Sequence, residues 1–212
     1  PACRPGTPPL PPLGFLPGTL IRTATGARPV ETLRAGDPVM TLTHGLLPVD
    51  WVMRSYQTAR ALAPSPAARP VCIRRDALGP DAPSDTLLMA GQTRLLCDDP
   101  AVAALFGEPA VLLPAAALVD DGVIHIDYSQ SEIAYVHLLL PRHAVLSADG
   151  VAVESLHPAD LPLDRLDPDD RTSLLTARPD LLHAGASATP WAARPVDAAA
   201  AALLAAPPAR AA

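Results

Sequence analysis

Proline is the feature that most restricts how this chain can fold. The 212 residues include 27 prolines, about 13% of the chain against a usual ~5%. An interior proline removes a backbone hydrogen bond and breaks a helix, so this frequency excludes a helical bundle or a coiled coil. Prolines and the 12 glycines together stay below the ~25–30% typical of wholly disordered chains. We therefore expect a folded chain of short elements separated by frequent turns.

The spacing of the turns predicts an all-β fold. Turn signals at Thr25-Gly26, Gly36-Asp37 and His44-Gly45 divide residues 15–56 at intervals of roughly ten residues or less, as in β-sandwiches and barrels. The longest proline-free run, 115–140, alternates apolar and polar residues with period two and contains β-branched and aromatic side chains, which favours strands over a helix. Because aromatic residues make up only 3% of the chain, the core has to consist of Val, Leu and Ile.

Individual elements can be assigned from the same signals. The sequence predicts strands at 29–33, 87–96 (one or two, around Gly91), 111–118 and 123–128. Residues 100–106 suggest one or two helical turns closed by Gly107, and the leucine spacing at 169–177 is compatible with a short helix. The acidic clusters at 98–99 and 167–170 are typical of solvated loops or helix starts. Glu31 and Asp37 lie near turns, where carboxylates commonly accept hydrogen bonds from backbone N–H groups.

Composition divides the chain into three parts. Residues 1–13 form a Pro-rich arm, expected to be extended. Residues 14–156 contain the turns and strands. Residues 157–212 are first acidic and then rich in Ala and Pro, which predicts a short helical or disordered C-terminal extension.

Charge and hydropathy argue against nucleic acid as a partner and against a membrane span. The net charge is −6, from 16 Arg against 22 Asp and Glu, with no basic stripe, so nucleic-acid binding is disfavoured. No apolar run reaches the ~18 residues of a membrane span. The remaining candidates are a protein partner or the chain's own upstream segment. The oligomeric state stays open, and so does the location, which is either cytoplasmic or exported without a visible signal peptide.

Cysteine and histidine usage predicts neither a metal site nor a cofactor. The cysteines Cys3, Cys72 and Cys97 form no CxxC pair, which disfavours a disulfide framework and a zinc knuckle. Cys72 lies in an apolar run and is expected to be a buried thiol. Four histidines are scattered without ligand spacing: His44, His125, His157 and His183.

Three ordered stretches resemble the Hint (hedgehog/intein) superfamily. Residues 14–41 read GFLPGTLIRTATGARPVETLRAGDPVMT, which resembles the family's opening block, C-F-x-x-G-T-x-I-x-T-x-x-G-x-x-P-V-E-x-L-x-x-G-D-x-V-x-T. Residues 87–96 and 135–156 resemble the second and the C-terminal blocks. The resemblance covers about residues 14–156 and implies an all-β horseshoe of short strands with pseudo-twofold symmetry.

The resemblance also implies a self-processing chemistry. In the family, a Cys or Ser at the first position of block one attacks the preceding carbonyl and converts the amide to a (thio)ester, an N-to-S/O acyl shift. A His in block two protonates the leaving amide nitrogen. Here the nucleophile position is Gly14, the histidine position is Thr93, and the small polar position before it is Ala90.

The C-terminal block departs from the family in part. Inteins release their C-terminus by cyclising a terminal Asn that follows a His, but those positions are Glu154 and Ser155, and the chain contains no Asn. Asn cyclisation at an internal residue is therefore excluded. Two block-three histidines remain, His137 and His143.

These residues define a candidate site and two hypotheses of function. The candidate residues are Gly14, Thr93, His137 and His143. The first hypothesis is a Hint-type autoprocessing domain whose catalytic positions are degenerate. The family is autoproteolytic, and this chain would be an inactive member of it. The alternative is a non-catalytic β-domain that serves as an interaction or export module. Each residue also has a structural explanation: Gly14 as a hinge, Thr93 as a strand residue, His137 as a core residue, and His143 as an ordinary hydrogen-bonded histidine.

Overall fold

Short strands make up most of the chain that the structure describes. In this computed structural model the described residues are 12–58, 68–161, 163–182, 190–197 and 200. The strands are β1 Leu20–Thr23, β2 Gly26–Pro29, β3 Pro38–Thr41, β4 Gly45–Pro48, β5 Trp51–Gln57, β6 Pro70–Ile73, β7 Leu87–Ala90, β8 Arg94–Cys97, β9 Val111–Pro114, β10 Ile124–Ile126, β11 Ile133–Leu139, β12 Val145–Ala148, β13 Val151–Glu154 and β14 Arg194–Pro195. The helices are α1 Pro100–Phe106 and α2 Pro168–Ala177. The all-β prediction is confirmed.

Three predicted segments lie wholly or mainly outside the described residues. They are the Pro-rich arm at 1–13, the loop at 57–69 and the Ala/Pro-rich part of the C-terminal extension.

The strands form three sheets, and the segment around Phe15 links two of them. The largest has nine strands in the order β14-β9-β8-β13-β12-β1-β3-β4, with β2 paired to β1. A three-stranded sheet has the order β10-β6-β7, and β11 pairs with β5 as a two-stranded ribbon. Phe15 makes antiparallel bridges to Met89 of β7 and to Val136 of β11. The start of the predicted domain therefore joins two of the sheets.

The main core consists of aliphatic side chains from all three sheets, as the low aromatic content predicted. Phe15, at 1% exposure, is the one Phe in it, and it packs with residues such as Ile21, Leu87, Met89 and Leu138. Burial of these side chains supplies the main driving force for folding, at roughly 25 cal/mol per Å² of apolar surface.

Both helices begin and end where the sequence signals placed them. Asp99 caps α1 by accepting a hydrogen bond from the N–H of Ala101, and Gly107 ends it in the left-handed region at φ 70°. Asp167 caps α2 in the same way. The two acidic clusters are therefore helix starts, and their carboxylates satisfy N–H groups that have no partner inside the helix.

The helix α2 covers the β5–β11 ribbon. Its fully buried Leu174 belongs to a second apolar cluster with Trp51 and Met53 of β5 and Leu139 of β11. The indole N–H of Trp51 also donates to the Ser173 hydroxyl at 3.0 Å. The segment after the last strand of the predicted domain thus has a core of its own against the ribbon.

Two predicted strands are wrong in part. Residues 30–32 form a 3₁₀ turn, Val30–Thr32, instead of a strand, because the chain must bend there to bring Glu31 back to the N–H of Gly18, at 2.9 Å. The strand predicted at 111–118 ends at Pro114 and continues as the 3₁₀ turn Ala115–Leu118. Its alanines lack the β-branched side chains that favour an extended backbone.

The turn carboxylates have the predicted role. Besides the contact of Glu31, Asp37 accepts a hydrogen bond from the N–H of Arg34 at 2.9 Å. That backbone bond, together with the neighbouring Arg28, lowers the pKa of Asp37.

Candidate functional site

The segment that carries Gly14 is held between β7 and β11. The N–H of Phe15 donates to Val136 O at 3.1 Å, and the N–H of Val136 donates back to Phe15 O at 2.8 Å. Gly14 O accepts from the N–H of Ala90 at 2.9 Å. Because the Phe15 side chain fills the core at the same point, Gly14 is fixed in position rather than free to act as a hinge.

No other residue fits the backbone at position 14. Gly14 has φ +100°, a region that L side chains rarely adopt. A Cβ built on it would overlap the carbonyl oxygen of Val136 on β11. At the position where the resemblance predicts the nucleophile, the structure therefore has neither a side chain nor space for one.

Thr93 contacts the amide of Gly14 directly. It lies in the turn between β7 and β8 with 3% exposure, and its hydroxyl oxygen accepts a hydrogen bond from the N–H of Gly14 at 2.6 Å. The same hydroxyl lies 3.5 Å from Gly14 O. Residues far apart in sequence, from the first and second blocks, thus meet at the nitrogen of the Leu13–Gly14 peptide bond.

His137 lies on β11 at the same cavity, and it is buried and neutral. It has 2% exposure, its Nε2 lies 3.4 Å from the Ser55 hydroxyl, and its Nδ1 has no hydrogen-bond partner among the described residues. Burial lowers the pKa of His137 to about 3. At neutral pH this imidazole carries no charge, so it cannot act as an imidazolium acid. The prediction that it packs within the core is confirmed.

His143 lies on the far side of Glu154 and does not line the cavity with Gly14. It is buried, and its Nε2 is 3.4 Å from a Glu154 carboxylate oxygen without forming a hydrogen bond. Its Nδ1 accepts a hydrogen bond from the N–H of Ala192 at 3.0 Å. Of the four predicted site residues, Gly14, Thr93 and His137 are brought together, and His143 is set apart.

Glu154 and Ser155 have structural roles at the positions of the family's His-Asn pair. Glu154 accepts from the backbone N–H of Arg94 at 2.8 Å and pairs with its guanidinium at 3.1 Å. The guanidinium also pairs with Asp160 at 2.9 Å. The Ser155 hydroxyl accepts from the N–H of Ala144 at 3.1 Å. The buried Glu154 carboxylate is thus compensated by a charge partner, as a buried ion requires.

Two aromatic rings that the sequence did not single out cover this ion pair. The His157 ring stacks on the Trp191 indole at 3.6 Å and 5°, and His143 meets each of these rings edge-on at 5.0 Å. The Arg94 guanidinium lies 4.9 Å from the indole centroid. Nothing in the local pattern points to this cluster, because His157 has no spaced partner and Trp191 lies in the low-complexity extension.

The space left in the site is small. The cavity has a volume of about 10 Å³, which is at the lower limit for one water molecule. Gly14, Thr93, His137, Glu154 and His157 are among its lining residues.

The described residues contain no group of three or more His, Cys, Asp or Glu side chains arranged to hold a metal ion. Cys72, predicted to be a buried thiol, is buried and free. Within the described part of the chain, no helix is both long and apolar enough to cross a membrane.

Comparison with known proteins gives one family and several related folds. The family described as Hint domain matches residues 13–160. A solution structure of a bacterial intein-like domain from Clostridium thermocellum is similar at 12% identity and a TM-score of 0.44, over 68% of this chain and 99% of that one. A crystal structure of the MchDnaB-1 intein is similar at 8% identity and a TM-score of 0.42, over 68% of this chain and 100% of that one. No curated protein matches the chain significantly.

Proposed function

The chain belongs to the Hint domain family, and from this premise we propose that it is a Hint-type autoprocessing domain that no longer cleaves itself. An acyl shift requires a thiolate or an activated hydroxyl to attack the carbonyl carbon of Leu13. The C–N bond to Gly14 then breaks, and a proton must reach the departing nitrogen of Gly14. Neither requirement is met by the residues at this bond.

One contact supports this proposal most directly. Thr93 stands at the position that the sequence resemblance gives to the family histidine, and its hydroxyl accepts a hydrogen bond from the amide nitrogen of Gly14 at 2.6 Å. A threonine hydroxyl is not an acid near neutral pH, and here it stabilises the intact amide. The neutral His137 does not replace the missing acid, since burial holds its pKa at about 3.

Intact-mass measurement tests the proposal. A reporter protein is fused ahead of Pro1, and the fusion is incubated at pH 7.5 with dithiothreitol or hydroxylamine, which trap a (thio)ester. We expect the full mass throughout, with no product that begins at Gly14. An active Hint domain fused to the same reporter is the positive control, and specific cleavage between Leu13 and Gly14 in this chain would overturn the proposal.

The close packing at position 14 supports a second candidate, a non-catalytic interaction module. Because a Cβ there overlaps Val136 O, the site has no space for a nucleophilic side chain, and the protein surface is then the part available for function. Gly14→Cys combined with Thr93→His separates the two candidates in one direction. Restored cleavage would favour a processing domain that lacks only side chains and would count against the interaction module. We expect a folded, uncleaved double variant, because a Cβ at position 14 overlaps Val136 O, and that result is compatible with both candidates.

A further inference from the structure

Residues 190–197, which we call the C-terminal strap, lie across the surface of the Hint domain. The strap follows the region 13–160 that the family match covers. Its strand β14 pairs in parallel with β9, and the N–H of Val196 donates to Leu112 O at 2.9 Å. The side chain of Val196 is buried beside Val102 and Val111. The strap is thus bound as an extended peptide would be, by strand addition at a sheet edge.

A tryptophan anchors the other half of the strap. The Trp191 indole is stacked on His157 at 3.6 Å, meets His143 at 5.0 Å and lies 4.9 Å from the Arg94 guanidinium. Such an aromatic anchor carries most of the binding energy in many protein–peptide interfaces.

One hydrogen bond makes this binding depend on the protonation state of His143. The N–H of Ala192 in the strap donates to His143 Nδ1 at 3.0 Å, so this nitrogen must be unprotonated and the neutral ring must carry its proton on Nε2. If Nδ1 gains a proton, two N–H groups face each other and the hydrogen bond becomes a repulsion. His143 is buried, so no solvent is available to replace the bond.

The charged groups around His143 do not cancel this effect. Glu154 lies 3.4 Å from Nε2 and stabilises the imidazolium, while Arg94 opposes it and is itself paired with Glu154 and Asp160. All three belong to the domain and act whether the strap is bound or free. Only contacts that differ between the two states shift the equilibrium. The strap contacts His143 through the Ala192 hydrogen bond and through the edge-on Trp191 ring at 5.0 Å, and the contact that requires an unprotonated Nδ1 is that of Ala192.

His157 is the other titratable group beneath the strap, and its protonation acts differently. Its Nδ1 accepts from the N–H of Ala159 at 3.1 Å, a contact within the domain. A positive His157 ring stacked on Trp191 would attract the indole face. Protonation of His157 therefore does not release the strap.

We propose that the C-terminal strap is an internal peptide ligand of the Hint domain, and that protonation of His143 releases it and uncovers a peptide-binding surface formed by the β9 edge and the rings of His143 and His157. The resident occupant of this surface is the strap itself. The inference holds whether or not the domain cleaves itself, because none of its contacts involves the Leu13–Gly14 bond.

Fluorine NMR of the full chain labelled with 5-fluorotryptophan tests the release. The chain has two tryptophans: Trp191 reports on the strap, and Trp51, buried in the second cluster, reports on global folding. A Trp191→Phe variant assigns the two signals. Between pH 8 and pH 5 we expect the ratio of bound to free strap to fall about tenfold or more, as for the loss of one buried hydrogen bond, while the Trp51 signal stays that of folded protein.

Three variants decide whether His143 is responsible. In His143→Gln the side-chain oxygen can still accept from Ala192 but does not titrate, so the strap should stay bound at both pH values. Ala192→Pro removes the donor without altering the domain, so the ratio of bound to free strap should already be about tenfold lower at pH 8. His44→Gln, at an exposed turn, should titrate like the unchanged protein.

Three results would overturn the proposal. The first is a Trp191 signal that does not change with pH in the unchanged protein. The second is a transition that persists in His143→Gln, or one that is lost in His157→Gln instead. The third is an Ala192→Pro variant whose ratio of bound to free strap at pH 8 equals that of the unchanged protein, and this result is decisive even if His143→Gln does not fold.

Discussion

At Gly14 the backbone comes so close to β11 that an added Cβ would overlap Val136 O. A chain that had lost only its nucleophilic side chain would keep the space for it. Here the backbone angle φ +100° and the hydrogen bonds on both sides of the residue fit glycine alone. Under the proposed function, position 14 therefore differs from that of an active domain in its backbone as well as in its side chain.

Substitution at Gly14 measures this constraint. We expect Gly14→Ala to lower the free energy of unfolding by about 2–4 kcal/mol, from the strain of a positive φ and from overpacking against β11. Gly18 provides a matched control, because it has φ +95° but nothing within 4 Å of its Cβ position. Gly18→Ala should cost only the conformational part, about 1–2 kcal/mol. Equal losses for the two variants in urea unfolding would contradict the steric overlap.

The sequence predicts part of the site at this scale. The family blocks predicted that Gly14 and Thr93 belong to one site, because several blocks in the same order and at fixed spacing are not expected to match by chance. The partners of His143 did not follow from the sequence, because Ala192 and Trp191 lie far along the chain in a segment without pattern. Contacts of this kind depend on tertiary packing, and a local sequence motif carries no information about it.

At the scale of the element, α2 shows how packing on a neighbouring ribbon stabilises a short polar helix. Its first turn is acidic, and it contributes one fully buried side chain, Leu174, to the cluster on the β5–β11 ribbon. A short helix is marginal in water on its own, so packing has to supply its stability.

Truncation of Leu174 tests this dependence. We expect Leu174→Ala to destabilise the protein by about 2–5 kcal/mol, since it removes a buried side chain and leaves a cavity. Leu182→Ala makes the same chemical change at a side chain with 59% exposure and should cost less than about 0.5 kcal/mol. Chemical unfolding monitored by Trp51 fluorescence in a Trp191→Phe background compares the two, and a loss below 1 kcal/mol for Leu174→Ala would contradict the packing role.

The sequence predicts the type and bounds of an element where residues next to it cap its ends. Asp99, Asp167 and Gly107 cap their helices with their own atoms, so both helices were predicted near their observed bounds. The 3₁₀ turns at Val30 and Ala115 were missed, because distant groups bend the chain there. Glu31 must reach Gly18, and the N–H of Ala115 donates to Thr93 O at 2.9 Å.

At the scale of the whole molecule, the buried imidazole of His137 couples folding to pH. Burial lowers the pKa of His137 from 6.5 to about 3. The unfolded chain therefore takes up this proton at a higher pH than the folded chain does. The stability that His137 contributes is complete above pH 6.5 and is lost as the pH falls from 6.5 towards 3.

The size of this effect can be measured by urea unfolding at a series of pH values. From pH 6.5 to pH 5, His137 should account for a loss of about 2 kcal/mol, at ~1.36 kcal/mol for each pH unit. His137→Gln should have a correspondingly flatter profile, whereas His44→Gln should match the unchanged protein. Parallel profiles for His137→Gln and the unchanged protein would show that the buried ring does not control the pH dependence.

The sequence predicted the fold class of the whole molecule, but it did not predict how the C-terminal extension packs on the domain. Proline frequency and turn spacing predicted an all-β fold, and the three sequence blocks that resemble the Hint superfamily predicted the family. The sequence did not predict that a piece of the extension returns to cover the domain, because Arg194 and Pro195 carry no strand pattern. Their pairing with β9 arises from a free sheet edge and not from their own propensity.

The position of β14 bears on self-association. β9 is an apolar, fully buried strand, and an unpaired edge of that kind is a template for cross-molecular sheet growth. In the parallel ladder the N–H of Val196 points inward to Leu112 O, so the nitrogen of Pro195 faces outward, where proline has no hydrogen to donate. The outermost strand thus ends the sheet on this side, and the two residues of β14 cover the edge of β9 with a strand that offers no N–H at Pro195 to a further strand.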